Sequence, residues 1–173
     1  MFSSMRARGA IPAALVLLVA GCSQQPQNAS AAPEAAPNLP AVTLEKLPAG
    51  VDATQEGNCS LDTINGQRVA AASLKVGDAA TFVGWVGNAE GRVPQDGRLI
   101  LEGEGGSYSA PVQVGIARPD VVAALGKPGL ENAGFGVSTT LAVAPGMYRV
   151  YILMGESSPS VCHFDVSLTI AGG

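Results

Sequence analysis

The chain predicts an all-β domain, and three observations carry that expectation. From Cys59 onward the sequence runs in short stretches of Val, Ile, Thr, Phe and Tyr, these stretches are separated at even intervals by Gly, Pro, Asn and Asp, and a single segment carries helix punctuation. Even spacing of such runs points to a sandwich or a barrel rather than to alternating strands and helices.

Strands are expected at 60–64, 79–86, 98–102, 107–116, 136–143, 148–154 and 161–170. Asn65-Gly66, Val76-Gly77-Asp78, Asp96-Gly97, the 103–106 stretch and Pro145-Gly146 supply the turns, each offering positive φ or a fixed proline φ. In 148–154 apolar residues occupy nearly both faces, which suits an inner strand. The last strand has period two: Cys162, Phe164, Val166, Leu168 and Ile170 share one face, His163, Asp165, Ser167 and Thr169 the other. Its cysteine therefore points inward. Around Asp120 a short helix is expected, with Pro119 at its first position, an acid in its first turn, and Gly126 and Pro128 as the stop. Seven strands with one short connecting helix fit an immunoglobulin-like β sandwich.

Ahead of this domain the texture is different. Residues 23–56 are rich in Ala, Pro, Gln, Asn and Ser, with few side chains able to fill a core. Such a stretch reads as a tether holding the domain on the order of 30 Å from its attachment point. Its later part, 42–47, has the residues for a short ordered segment against the domain. Before the tether, a hydrophobic run follows Arg6 and Arg8 and is too short for a membrane span. The expected organisation is a signal segment at 1–21, a linker at 22–56 and the sandwich at 57–173.

The signal closes on Val19-Ala20-Gly21-Cys22 and resembles a bacterial lipoprotein signal. That resemblance implies removal of residues 1–21 and diacylation of the Cys22 thiol, against the plainer alternative of an ordinary signal peptide with a chance cysteine. Ser23 stands where many lipoproteins retained at the inner membrane carry Asp, so anchoring to the outer membrane is expected, on its periplasmic or its cell-surface face. The anchor makes the membrane a partner through lipid alone. Removal of 21 residues from 173 leaves 152, room for one domain. Arg6 and Arg8 leave with the signal, and the remaining eight basic residues against 14 acidic ones give a net charge of −6. An acidic chain without clustered Lys or Arg gains nothing from counterion release, so nucleic acid is excluded as a partner.

With Cys22 assigned to lipid, Cys59 and Cys162 remain. An even pair in an oxidising envelope reads as an intrachain disulfide, two buried thiols or an intermolecular bond being the alternatives. Two cysteines and the lone His163 do not make a closed zinc site. No cofactor motif stands out, and the glycine-rich 103–107 stretch lacks the Lys-Ser/Thr of a phosphate loop. Asp96, Glu102 and Glu104 lack the spacing of a calcium loop and read as solvated turn charges.

Several motifs, Leu61-Asp62-Thr63-Ile64-Asn65-Gly66, Gly84-Trp85-Val86, Arg118-Pro119-Asp120-Val121, Ala133-Gly134-Phe135 and Pro145-Gly146-Met147-Tyr148, occur in an order that resembles a small bacterial envelope-associated β domain. That accessory module is found beside glycosyltransferases and in exported proteins, and the resemblance covers most of 58–170. One departure is that Gly87-Asn88 follows the Gly-Trp pair where the module has an aspartate.

The ligand-binding candidates are Trp85, Arg118 and Asp120. Trp85 is either an aromatic platform for a sugar ring or, the reading preferred here, a core tryptophan packed near the disulfide. Arg118 and Asp120 read either as a ligand clamp or as a helix-start cap and an ion pair. Tyr148 resembles a tyrosine corner. His163 lacks a nucleophile elbow and lies beside a cysteine expected to be oxidised, so no catalytic residue is assigned. The chain is read as a lipid-anchored, non-catalytic binding or scaffolding protein whose partner is an envelope protein or glycan. A carbohydrate-binding module and an envelope hydrolase are the alternatives.

Overall fold

The computed structural model describes residues 38–48, 52–155 and 158–173. The signal segment, Cys22 and the linker up to residue 37 lie outside them.

Two β sheets form a sandwich. The first is built on β4 (Asn58–Ile64), β7 (Ala79–Gly87), β10 (Gln113–Ile116) and β11 (Gly134–Thr140), in the spatial order β4-β7-β11-β10. The second is built on β8 (Gly97–Gly103), β9 (Gly106–Pro111), β12 (Gly146–Met154) and β13 (Ser160–Ala171), in the order β9-β8-β12-β13. This is the immunoglobulin arrangement: the first sheet corresponds to strands A, B, E and D, and the second to G, F, C and an added C′. The neighbours in each of these orders run antiparallel.

Short strands complete the edges. β1 (Ala41–Val42) lies parallel to β11, and β2 (Glu45–Leu47) lies antiparallel to β9. Next, β3 (Thr54–Gln55) runs parallel to the start of β13, β5 (Gln67–Arg68) returns along β4, and β6 (Leu74–Lys75) runs parallel to the end of β13. Thus 41–47 and 54–55, which fall in the expected 22–56 linker, belong to the sheets. The physical reason is that each sheet edge presents unpaired N–H and C=O groups, and even a two-residue strand satisfies some of them. The buried hydroxyl of Thr139 also holds this segment, donating to the Val42 carbonyl at 2.8 Å.

The strand expected at 107–116 divides at Val112, its first part pairing in one sheet and its second in the other. Pro111 has no N–H for a ladder, so a strand ends there readily. The Val112 N–H donates to the Gly97 carbonyl at 3.0 Å, and the chain then crosses to the opposite sheet.

Inward-facing residues of both sheets fill the core, among them Ile64, Phe82, Val86, Leu99, Leu101, Phe135, Tyr148, Ile152 and Ile170. Cys59 and Cys162 are disulfide-bonded across a sequence separation of 103 residues, tying β4 to β13. The bond joins the positions of strands A and G, whereas antibody domains join B and F. Tyr148 forms the expected corner: it is fully buried and donates to the Ala144 carbonyl at 2.6 Å, and burial pushes its phenol above the ordinary tyrosine range. Tyr108 supports the same corner edge-on, with ring centroids 6.1 Å apart, and accepts from the Ala144 N–H at 3.3 Å.

Candidate functional site

Trp85, Arg118 and Asp120 come together on the outer face of the first sheet. On β7 the period of two turns Phe82 and Val86 into the core and leaves Thr81, Val83 and Trp85 outside. The core reading of Trp85 is therefore corrected: it is half-buried outside the sandwich, in a small apolar cluster with Val121, Val122, Leu130, Ala133 and Val93. Helix α1 (Pro119–Leu125) and a 3-10 turn at Pro128–Leu130 supply that cover. Gly126, with φ +66°, ends α1 and donates to the Val122 carbonyl at 2.8 Å.

Arg118 precedes α1 and sits over Gly134, the register partner of Trp85. A methyl group on Gly134 would stand 2.7 Å from the Ile116 carbonyl oxygen and 3.1 Å from Arg118 Cγ, so the missing side chain makes room for the neighbouring strand and for the arginine stem. The guanidinium donates twice to Asp120, from Nε at 2.8 Å and from Nη2 at 2.7 Å. Its Nη1 donates to Asp62 at 2.7 Å, and Asp62 accepts a further bond from the Ser60 hydroxyl at 2.9 Å. Asp62 reaches this place because β4 carries a one-residue bulge between Leu61 and Thr63. The bulge turns Asp62 to the outer face while Leu61 and Ile64 both stay in the core.

Arg118 is thus clamped by two carboxylates of its own chain. The N-cap residue of α1 is Arg118, whose side chain makes no cap and is held by the Asp120 carboxylate. The guanidinium is held charged by both acids, and Arg118 holds the Asp120 carboxyl below its ordinary value of 3.8. A carboxylate with a depressed folded-state pKa contributes stability above its unfolded pKa and loses it as pH falls through the folded one. Because the Asp120 side chain is 63% exposed, the contribution is at most about 1 kcal/mol. Asp120→Asn should therefore lower stability by about 0.5–1 kcal/mol at neutral pH and by nothing measurable near pH 2. Urea unfolding of both proteins at the two pH values checks this.

The Gly87-Asn88 pair has a structural role. A Cβ on Gly87 would stand 2.5 Å from Leu130 Cδ2, so glycine admits the leucine that covers the Trp85 cluster. The Asn88 side chain accepts from the Arg92 N–H at 2.9 Å and closes the following turn.

On the second sheet, His163 packs its ring on Tyr151 with centroids 5.0 Å apart, and its neighbour Cys162 is in the disulfide. Here β13 carries two more residues than β12 between the pairs Tyr151↔His163 and Arg149↔Ser167. An insertion of two preserves the side-chain alternation, so Phe164 and Leu168 both face the core across the bulge. Asp165, at its centre, adopts φ +52°, a left-handed conformation costing a non-glycine residue about 1–2 kcal/mol. A concavity of about 390 Å³ opens there, lined by Gln55, Arg149, Val150, His163, Asp165, Val166 and Ser167. The reading of the sequence did not assign Gln55, Arg149, Asp165 or Ser167 to a site. The signal for Asp165 and Ser167 was the polar face of the last strand, which gave no hint of the bulge, and Gln55 and Arg149 arrive from other strands.

Among the described residues no group of His, Cys, Asp and Glu is placed to hold a metal ion, and no helix is long and apolar enough to cross a membrane. No protein-family model matches the chain, and no curated protein and no solved structure matches it significantly.

Proposed function

We propose that this chain is a lipid-anchored protein of the outer membrane whose sandwich is a non-catalytic binding or scaffolding module. The observation that carries this reading is the way the domain is tied at its N-terminal side. Segments 41–47 and 54–55 pair with both sheets, and the disulfide joins β4 to β13. A domain held through Cys22 would be loaded at that side, where short strands on both sheets and the covalent bond tie it down.

The disposition of the polar residues supports the same reading. Arg118 and Asp120 are engaged with each other and with Asp62. These groups hold structure, which suits a surface that binds better than one that turns over substrate. The partner is an envelope protein or glycan.

Photo-crosslinking in living cells tests the proposal, with the reactive residue placed in the full chain at Glu104 and at Lys127. Discrete adducts to an envelope component are expected. Turnover of an envelope glycan, ester or peptide by the purified full chain would contradict it.

A further inference from the structure

We propose that the concavity at the β13 bulge is a binding site for a neutral, hydroxyl-rich carbohydrate, an inference that rests on the reading of the domain as a binding module. Four features of the site converge on that chemistry.

Its size is that of a small-ligand site, about 390 Å³. Its lining is largely polar: Gln55, His163, Asp165 and Ser167 border one opening. None of these four side chains has a hydrogen-bond partner within the protein among the described residues, so donors and acceptors are free for a ligand. A sugar ring, whose hydroxyls both donate and accept, matches such a mixed set.

The backbone is also arranged for it. Asp165 is one of only two non-glycine residues with positive φ among the described residues. The other, Asn65, lies in a turn and its side chain bonds the Thr81 N–H and the Ala79 carbonyl of β7, whereas the Asp165 side chain makes no bond within the described residues. Bulges re-aim side chains, and strained conformations held by surrounding structure concentrate at functional sites. His163 is meanwhile oriented by its contact with Tyr151.

Charge decides which sugars fit. Arg149 donates to Glu102 at 3.0 Å, and with Asp165 unpaired the three groups leave this wall with a net negative charge. A carboxylated sugar would meet the unpaired Asp165 and a single arginine already shared with Glu102, so uronates are disfavoured. Neutral sugars can bridge two hydroxyls to the Asp165 carboxylate.

The test is NMR titration of the mature full chain in detergent micelles with cellotetraose, chitotetraose and tetragalacturonate. At least one neutral tetramer should shift the resonances of Gln55, His163, Asp165 and Ser167, and tetragalacturonate should bind at least about tenfold more weakly. Asp165→Asn keeps a residue that tolerates the left-handed conformation while removing the charge, and should weaken the neutral ligand about tenfold. The proposal is overturned if neither neutral tetramer shifts these resonances or if tetragalacturonate binds equally well. It is likewise overturned if Asp165→Asn, shown folded by its spectrum, binds as wild type, or if the shifts centre on the Trp85 indole. Such a failure removes this site only; the module reading is tested separately by the crosslinks.

Discussion

Replacing Cys59 and Cys162 together by Ala is expected to destabilise the domain by about 4 kcal/mol. The bond closes a loop with a sequence separation of 103 residues, and for a loop near that length chain entropy alone predicts about 4.7 kcal/mol. Compactness of the unfolded chain reduces the figure somewhat. The location raises the local consequence. β5 pairs with β4 only at Thr63 and Ile64, so residues 58–62 of β4 have β7 as their single ladder partner, the disulfide and the Asp62–Arg118 pair being their further ties. Without the bond this edge should open first. Thermal unfolding followed by circular dichroism should show a midpoint lower by about 12–20 °C, and reductant should bring the wild-type chain to the same value. A midpoint within about 3 °C of wild type would mean that the sandwich is held elsewhere.

Phe135→Ala should cost about 3–5 kcal/mol, toward the top of that range. Phe135 is fully buried on β11 of the first sheet and stacks on Phe164 of β13 in the second, with centroids 5.6 Å apart. It therefore carries packing between the two layers. Its register partner is Gly84, and a Cβ built there would stand 2.9 Å from Phe135 Cε1. The glycine leaves the ring its space, and it leaves nothing to refill the hole once the ring is gone. The cost of a truncation depends on how well its site can collapse, and here the facing position has no side chain to move. Urea unfolding should show a lower midpoint with an unchanged slope, and a loss below about 1.5 kcal/mol would contradict this account of the core.

Gly84 and Trp85 show where the sequence was informative and where it was not. The alternation along β7 is visible in the residues, and so is the inward run of the last strand. What alternation does not reveal is which face is the core when both are apolar. Phe82 and Val86 took the interior, and α1 covered the other side, so Trp85 became part of an outer cluster. The cysteine pair and the Tyr148 corner were legible because each has a recognisable chemical signature at a definite place in a strand.

The Arg118 clamp was half legible. Asp120 lies two residues away, but Asp62 is 56 residues distant and arrives only because of a bulge in β4. The concavity beside Asp165 was not legible at all. It depends on two extra residues in β13 relative to β12, and on Gln55 arriving from a strand within the linker-like segment. Register between strands is a property of the pair, and one strand's sequence does not contain it.

The edge strands teach a related lesson. Residues 41–47 and 54–55 have compositions that suggest little core-forming power, yet they pair with both sheets. Their contribution is mostly backbone pairing at open edges, with Leu44 as a buried side chain and Leu47 packed on the outer cluster of the second sheet. Composition measures side chains, and an edge strand is recruited largely by its backbone.

Intact mass spectrometry of the mature protein, with fragmentation of its N-terminal peptide, tests the central proposal most directly. The proposal predicts a chain beginning at Cys22, its cysteine carrying a diacylglycerol thioether, recovered from the outer-membrane fraction. An unmodified Cys22, or a mature chain beginning at another residue, would contradict the lipid anchor and with it the reading of this sandwich as a membrane-tethered module.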